Sequence, residues 1–82
     1  MEIKVLGPGC VKCRGLAHRV EKAVASLQLS ALFEKVDDLN EIMRFGVLQT
    51  PALVVDGEVV IRGDLPSYKA ICKLLEDLKN KE

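Results

Sequence analysis

The chain has no tryptophan, one tyrosine and two phenylalanines, so aromatic residues make up only 4 % of its 82 positions. That is too few for a base-stacking platform on single-stranded nucleic acid. It also has no excess of either charge: twelve Lys and Arg balance twelve Asp and Glu. A general affinity for nucleic acid or for an anionic membrane surface is therefore not expected. No apolar run is long enough for a membrane span or an export signal, which predicts a cytoplasmic protein. Repeats and low-complexity stretches are missing, and hydrophobic residues at 49 % against charged ones at 29 % describe an ordinary globular composition. A chain this short buries only about 60 to 65 % of the surface its unfolded form exposes, so two independent cores are excluded and one domain over residues 1–82 is expected.

Cysteine is scarce too. Three cysteines in a chain without an export signal make a structural disulfide framework improbable and favour a redox or metal role for the close pair, Cys10 and Cys13. The chain is organised around that pair. Ile3, Val5 and Leu6 form a strand-like run that ends at Gly7-Pro8-Gly9, and Leu16, Ala17, Val20, Val24 and Leu27 then recur at helical spacing. Cys10 falls at the helix N-terminus, where unpaired N–H groups and the positive end of the helix dipole stabilise a thiolate. Cys13 is in phase with Leu16, Ala17 and Val20 and turns towards the core. An exposed thiolate can attack a disulfide and a sheltered neighbour can resolve the mixed disulfide that results. Lys12, Arg14, Arg19 and Lys22 crowd the same helix with only Glu21 opposing them. They either add a local positive field or form an ordinary solvated face, since exposed charges are screened within roughly 8 to 10 Å in physiological salt.

Further along, Ala31 to Val36 suits an edge strand, after a break at Leu29-Ser30. Asp38-Leu39-Asn40-Glu41 has the form of a capping box, and Leu39, Ile42 and Met43 give the short helix that follows an apolar stripe, stopped at Gly46. Ala52 to Val55 and Glu58 to Arg62 flank Asp56-Gly57, the strongest hairpin signal in the chain, because that dipeptide tolerates the positive φ angles of a type I′ turn. Pro51 at the head of its run is compatible with a strand. Ser67 is a candidate N-cap for a last helix that buries Tyr68, Ile71, Cys72, Leu75 and Leu78 on one face, with a tail from Lys79 to Glu82 expected to fray. The order β-α-β-α-β-β-α predicts an α/β fold with a mixed four-stranded sheet and helices on both faces. In a central first strand, Glu2 and Lys4 alternate with Ile3 and Val5, which implies either that the short second helix covers one face incompletely or that the register slips. His18 reads as a solvated residue and Cys72 as a small core residue. Arg62-Gly63-Asp64 matches an adhesion tripeptide by letter only.

With Cys10-Val11-Lys12-Cys13 opening the first helix, Thr50-Pro51 before the hairpin, Asp56-Gly57 at its turn and Gly63 before the last helix, the chain resembles the thioredoxin-like superfamily over nearly its whole length, and most closely the small stand-alone thioredoxin and glutaredoxin-like proteins of archaea and bacteria. The resemblance implies a thiol–disulfide oxidoreductase without a bound cofactor, with Cys10 attacking and Cys13 resolving. It also implies that Pro51 is a cis proline facing the pair and that Thr50 offers backbone groups to an extended substrate. Disulfide-containing proteins or small molecules would be the substrates, an upstream dithiol or flavin reductase the partner, and a monomer the working form. The chain differs from thioredoxins in having no tryptophan before Cys10, Val-Lys between the cysteines, and no evident buried acid beside Cys13. It keeps only part of a glutaredoxin's glutathione site, at Arg62-Gly63-Asp64. The alternative is a soft-metal-binding C-x-x-C module, in which two thiolates take a monovalent ion. Such modules end on a strand, whereas this pattern ends on a helix. A tetrahedral zinc site would need two further ligands, which neither His18 nor Cys72 is placed to supply.

Overall fold

The computed structural model describes residues 1–80. Its elements are β1 (Glu2–Leu6), α1 (Val11–Ser26), β2 (Leu32–Val36), α2 (Leu39–Arg44), β3 (Ala52–Val55), β4 (Glu58–Arg62) and α3 (Tyr68–Asn80). This is the element order read from the sequence. Lys79 and Asn80 complete α3 instead of fraying, and the rest of the expected frayed tail, Lys81 and Glu82, lies outside the described residues. Among the described residues, no helix is long and apolar enough to cross a membrane.

The four strands form one mixed sheet in the order β2-β1-β3-β4, with β1 and β2 parallel and the other pairs antiparallel. The expected edge position of β2 is observed. Strand alternation divides the core in two. Ile3 and Val5 point to the side covered by α1 and α3, where Leu16, Val20, Leu53, Ile71 and Leu75 are buried around them. Tyr68 ties those helices together: its hydroxyl donates to Ser26 Oγ at 2.7 Å, and Lys22 Nζ stands 5.1 Å from its ring centre. Leu6, Ala52 and Val54 point to the other side, where Val36, Ile42 and Val47 close a smaller core.

The tension at Lys4 resolves as incomplete cover, with no slip in register. Lys4 lies on the α2 side at the edge of that helix's cover; it is half-buried, with its ammonium 5.5 Å from the ring centre of Phe45, the helix C-cap, and 3.5 Å from Glu2. The short helix departs from expectation for the same reason. Of Leu39, Ile42 and Met43 only Ile42 is buried, while Leu39 and Met43 are 62 % and 64 % exposed. Six residues make fewer than two turns, and so brief a helix sets one side chain on the sheet. Its capping box is half formed as well. Asp38 Oδ1 accepts from the Asn40 N–H at 2.8 Å, but among the described residues Glu41 makes no return bond.

Other local signals hold. Asp56 and Gly57 both have positive φ, at 50° and 83°, as a type I′ turn requires. Ser67 Oγ accepts from the Ala70 N–H and caps α3. The hairpin also contains a bulge: Val54 pairs with Val59 and Leu53 with Ile61, leaving Val60 as the extra residue. Val59 thereby packs on the α2 side while Val60 and Ile61 both join the larger core.

Candidate active site

The two cysteines sit where β1 hands over to α1, and the helix terminus makes them unequal. Cys10 is the N-cap of α1 and is exposed; its sulfur accepts the Cys13 N–H at 3.2 Å. That N–H is one of the donors a helix leaves unpaired at its start, and here sulfur takes the role usually filled by a Ser or Asp oxygen. Cys13, one turn on, is 4 % exposed and packs in line with Leu16 and Ala17. The two are joined by a disulfide, their Cα atoms 5.0 Å apart, within the ordinary span for such a bridge.

Sheet register brings the rest of the site to the same end of the molecule. Leu6 pairs with Val36 on one side and Ala52 on the other, and Ala52 pairs in turn with Arg62. The residues just past these positions, Gly7, Pro51 and Gly63, therefore adjoin one another across the sheet end. Backbone bonds hold them: the Gly7 N–H donates to Val36 O at 2.9 Å and the Gly63 N–H to Pro51 O at 2.7 Å. Pro51 is fully buried, Thr50 is half-buried, and the peptide bond between them is cis, as the resemblance implied. A second anchor was not legible beforehand. The Arg19 guanidinium donates to Pro66 O at 2.7 Å and so ties the segment before α3 to α1.

Three residues at the candidate site take places beside Cys13 that the sequence does not specify. Gly7 reads as a breaker in the turn, yet a Cβ there would stand 2.8 Å from Cys13 Cβ and closer still to its sulfur. Arg14 reads as one of several helix bases that either add a positive field or form a solvated face, and Lys35 as a polar position of an edge strand, yet both line a cavity of about 50 Å³ that opens onto Cys13. Only strand pairing could have revealed Lys35, because its register partner is Val5. His18 is exposed on α1 and Cys72 is a half-buried free thiol on α3, packed against the larger core as expected. Among the described residues, no three His, Cys, Asp or Glu side chains gather in a group that could hold a metal ion, so a soft ion would find the two site thiolates alone.

The chemistry of such a pair is the reversible transfer of two electrons between a dithiol and a disulfide. The family model for the thioredoxin domain matches residues 1–76. A thioredoxin of Methanothermobacter thermautotrophicus is 37 % identical over 75 residues, covering 92 % of this chain and 97 % of its own length. A thioredoxin of Methanocaldococcus jannaschii is 38 % identical over 78 residues, covering 95 % of this chain and 86 % of its own. Likeness of that extent, over a fold that carries a C-x-x-C disulfide at the head of α1, makes this chain a member of the thioredoxin family and a thiol–disulfide oxidoreductase.

Proposed function

We propose that the protein reduces disulfides in two steps with a fixed division of labour. In the first, the Cys10 thiolate attacks a substrate disulfide and forms a mixed disulfide with one substrate sulfur, as the substrate S–S bond breaks and the other sulfur leaves as a thiolate that takes a proton from solvent. In the second, Cys13 attacks Cys10 Sγ, closing the internal disulfide and releasing the second substrate thiol. The observation that carries this reading is the inequality of the pair: Cys10 is exposed and accepts a helix N-terminal N–H, whereas Cys13 is 4 % exposed. In the reduced protein the same N–H and the helix dipole would favour the thiolate at Cys10, while burial would disfavour it at Cys13.

Thr50 and Pro51 form the substrate-binding segment in this reading, and the register that sets Pro51 beside Gly7 supports it. Disulfide-bearing molecules are the substrates, and a reductase recharges the oxidised pair. We further assign protein and small-molecule disulfides as the substrate range, a dithiol or flavin enzyme as the reductase, a monomer as the working form, and the cytoplasm as the location.

Trapping tests the division of labour. Cys13→Ser should accumulate a mixed disulfide through Cys10, and Cys10→Ser should be inert. In the reduced protein, alkylation at mildly acidic pH should label Cys10 first. Faster labelling of Cys13, or trapping through it, would reverse the roles.

A further inference from the structure

The second step poses a problem that the first does not. Cys13 must become a thiolate while almost wholly buried, and burial disfavours the charged form. The surroundings of Cys13 show what offsets this. Beside it lies the cavity of about 50 Å³, walled by Val5, Gly7 and Ala17, with Arg14 and Lys35 also in its lining. Arg14 comes from α1, one residue past Cys13, and Lys35 from the edge strand β2. Both are exposed, and both line the cavity. Lys35 shares the face of the sheet that bears Val5, its register partner, and so lies on the α1 side. β1 contributes only Val5 and the loop only glycines, and neither Asp37 nor Asp38 lines the cavity. Among the described residues, the charged side chains that line this cavity beside Cys13 are thus both basic. The volume is ample for water, since one water needs about 10 to 15 Å³ by this measure.

We propose that Arg14 and Lys35 are positioning charges for the resolving step, supplying the positive potential that lets buried Cys13 become the attacking thiolate without a carboxylate base. Cys13 loses its proton through the cavity to solvent, and its thiolate attacks Cys10 Sγ in the mixed disulfide. The Cys10–Cys13 bond forms as the bond from Cys10 to the substrate sulfur breaks. The substrate leaves as a thiolate with the electron pair and takes a proton from solvent. Two electrons have then passed from the dithiol to the substrate. The proposal rests on Cys13 being the resolving cysteine, and it adds the groups that make it competent.

The magnitude expected is modest because both cations are partly screened by solvent. Removing them should raise the midpoint of the Cys13 titration by about 0.5 to 1 pH unit. Below that midpoint the thiolate fraction falls about three- to ten-fold, but a more basic thiolate is also the better nucleophile, with a Brønsted slope of about 0.4 to 0.5. The resolving rate should therefore fall only about two- to four-fold.

The direct test isolates Cys13 as the sole thiol, in a Cys10→Ser, Cys72→Ser background, and follows thiolate absorbance against pH. Arg14→Gln with Lys35→Gln should move the midpoint upward, high salt should shrink the difference, and Lys35→Arg should leave the midpoint where it was. A midpoint unchanged by the double glutamine variant would overturn the proposal. In protein with all its cysteines, single-turnover kinetics should show the resolving step slowed while alkylation of Cys10 keeps its rate; equal slowing of both would also overturn it. Because the titration needs no substrate, it reads these charges independently of whether Cys13→Ser traps a mixed disulfide, which tests the role of Cys13 itself.

Discussion

Gly7 leaves no room for a side chain, because Cys13 fills the space where its Cβ would go. Close approach is the requirement at this position, so the smallest substitution tests it. Gly7→Ala must push Cys13 aside or bend the β1–α1 junction, and overpacking of this kind costs about 1 to 3 kcal/mol. Denaturant titration should show that loss, and closure of the Cys10–Cys13 disulfide under mild oxidation should slow with it. A variant as stable and as readily oxidised as the parent would show that the junction yields freely. The same scale explains why Cys72 should stay out of the chemistry. It is on α3, packed against the larger core, and mass mapping after mild oxidation should find Cys10 joined to Cys13 with Cys72 free.

At the level of elements, the ends of the helices are as informative as their faces. Helix α1 stops in a Schellman motif: the Gln28 N–H donates to Ala25 O, the Leu29 N–H donates to Val24 O, and Gln28 takes a positive φ of 52°. Glycine is the usual residue there, because a Cβ in the left-handed region costs about 1 to 2 kcal/mol. Gln28→Gly should therefore stabilise the protein, by about 0.5 kcal/mol once the greater entropy of unfolded glycine is subtracted. A rise in the denaturation midpoint at constant slope is the expected readout, and a fall would mean that Gln28 contributes contacts worth more than its strain. At the other end of the chain, Ser67→Ala removes the α3 N-cap and should cost about 1 kcal/mol.

The whole molecule is two unequal cores on one sheet, and their inequality should be measurable. Leu16 is fully buried between α1, α3 and the sheet, so Leu16→Ala should cost about 2 to 5 kcal/mol. Ile42 is nearly as buried, but its helix neighbours Leu39 and Met43 face solvent, and a site that can collapse loses less. Ile42→Ala should accordingly cost less than Leu16→Ala, and the reverse order would mean that α2 is held more firmly than its length suggests. We also expect a single cooperative unfolding transition for the one domain proposed. Chelator should leave the transition of the reduced protein unmoved, whereas unfolding on metal removal would reinstate a metal-binding module.

Much of this was settled along the chain. The order of elements, the Asp56-Gly57 turn, the Ser67 cap and the outward and inward placement of Cys10 and Cys13 all depend on residues within a few positions of one another. Local periodicity and turn chemistry report such features directly. The exposed faces of Leu39 and Met43, the bulge at Val60 and the half-made capping box at Asp38 were decided by how much sheet a six-residue helix can cover and by how the hairpin meets two cores. No local pattern encodes those outcomes. The site divides in the same way. The cysteine pair is one helical turn, and the sequence displays it openly. Pro51 beside Gly7 requires β1 to pair with β3 in a particular register, Lys35 with Arg14 at one cavity requires β1 to pair with β2, and the closeness of Gly7 to Cys13 depends on how α1 leaves β1. The β1–β3 register brings Gly7 and Pro51 together from 44 positions apart in the sequence, and only the folded sheet supplies it.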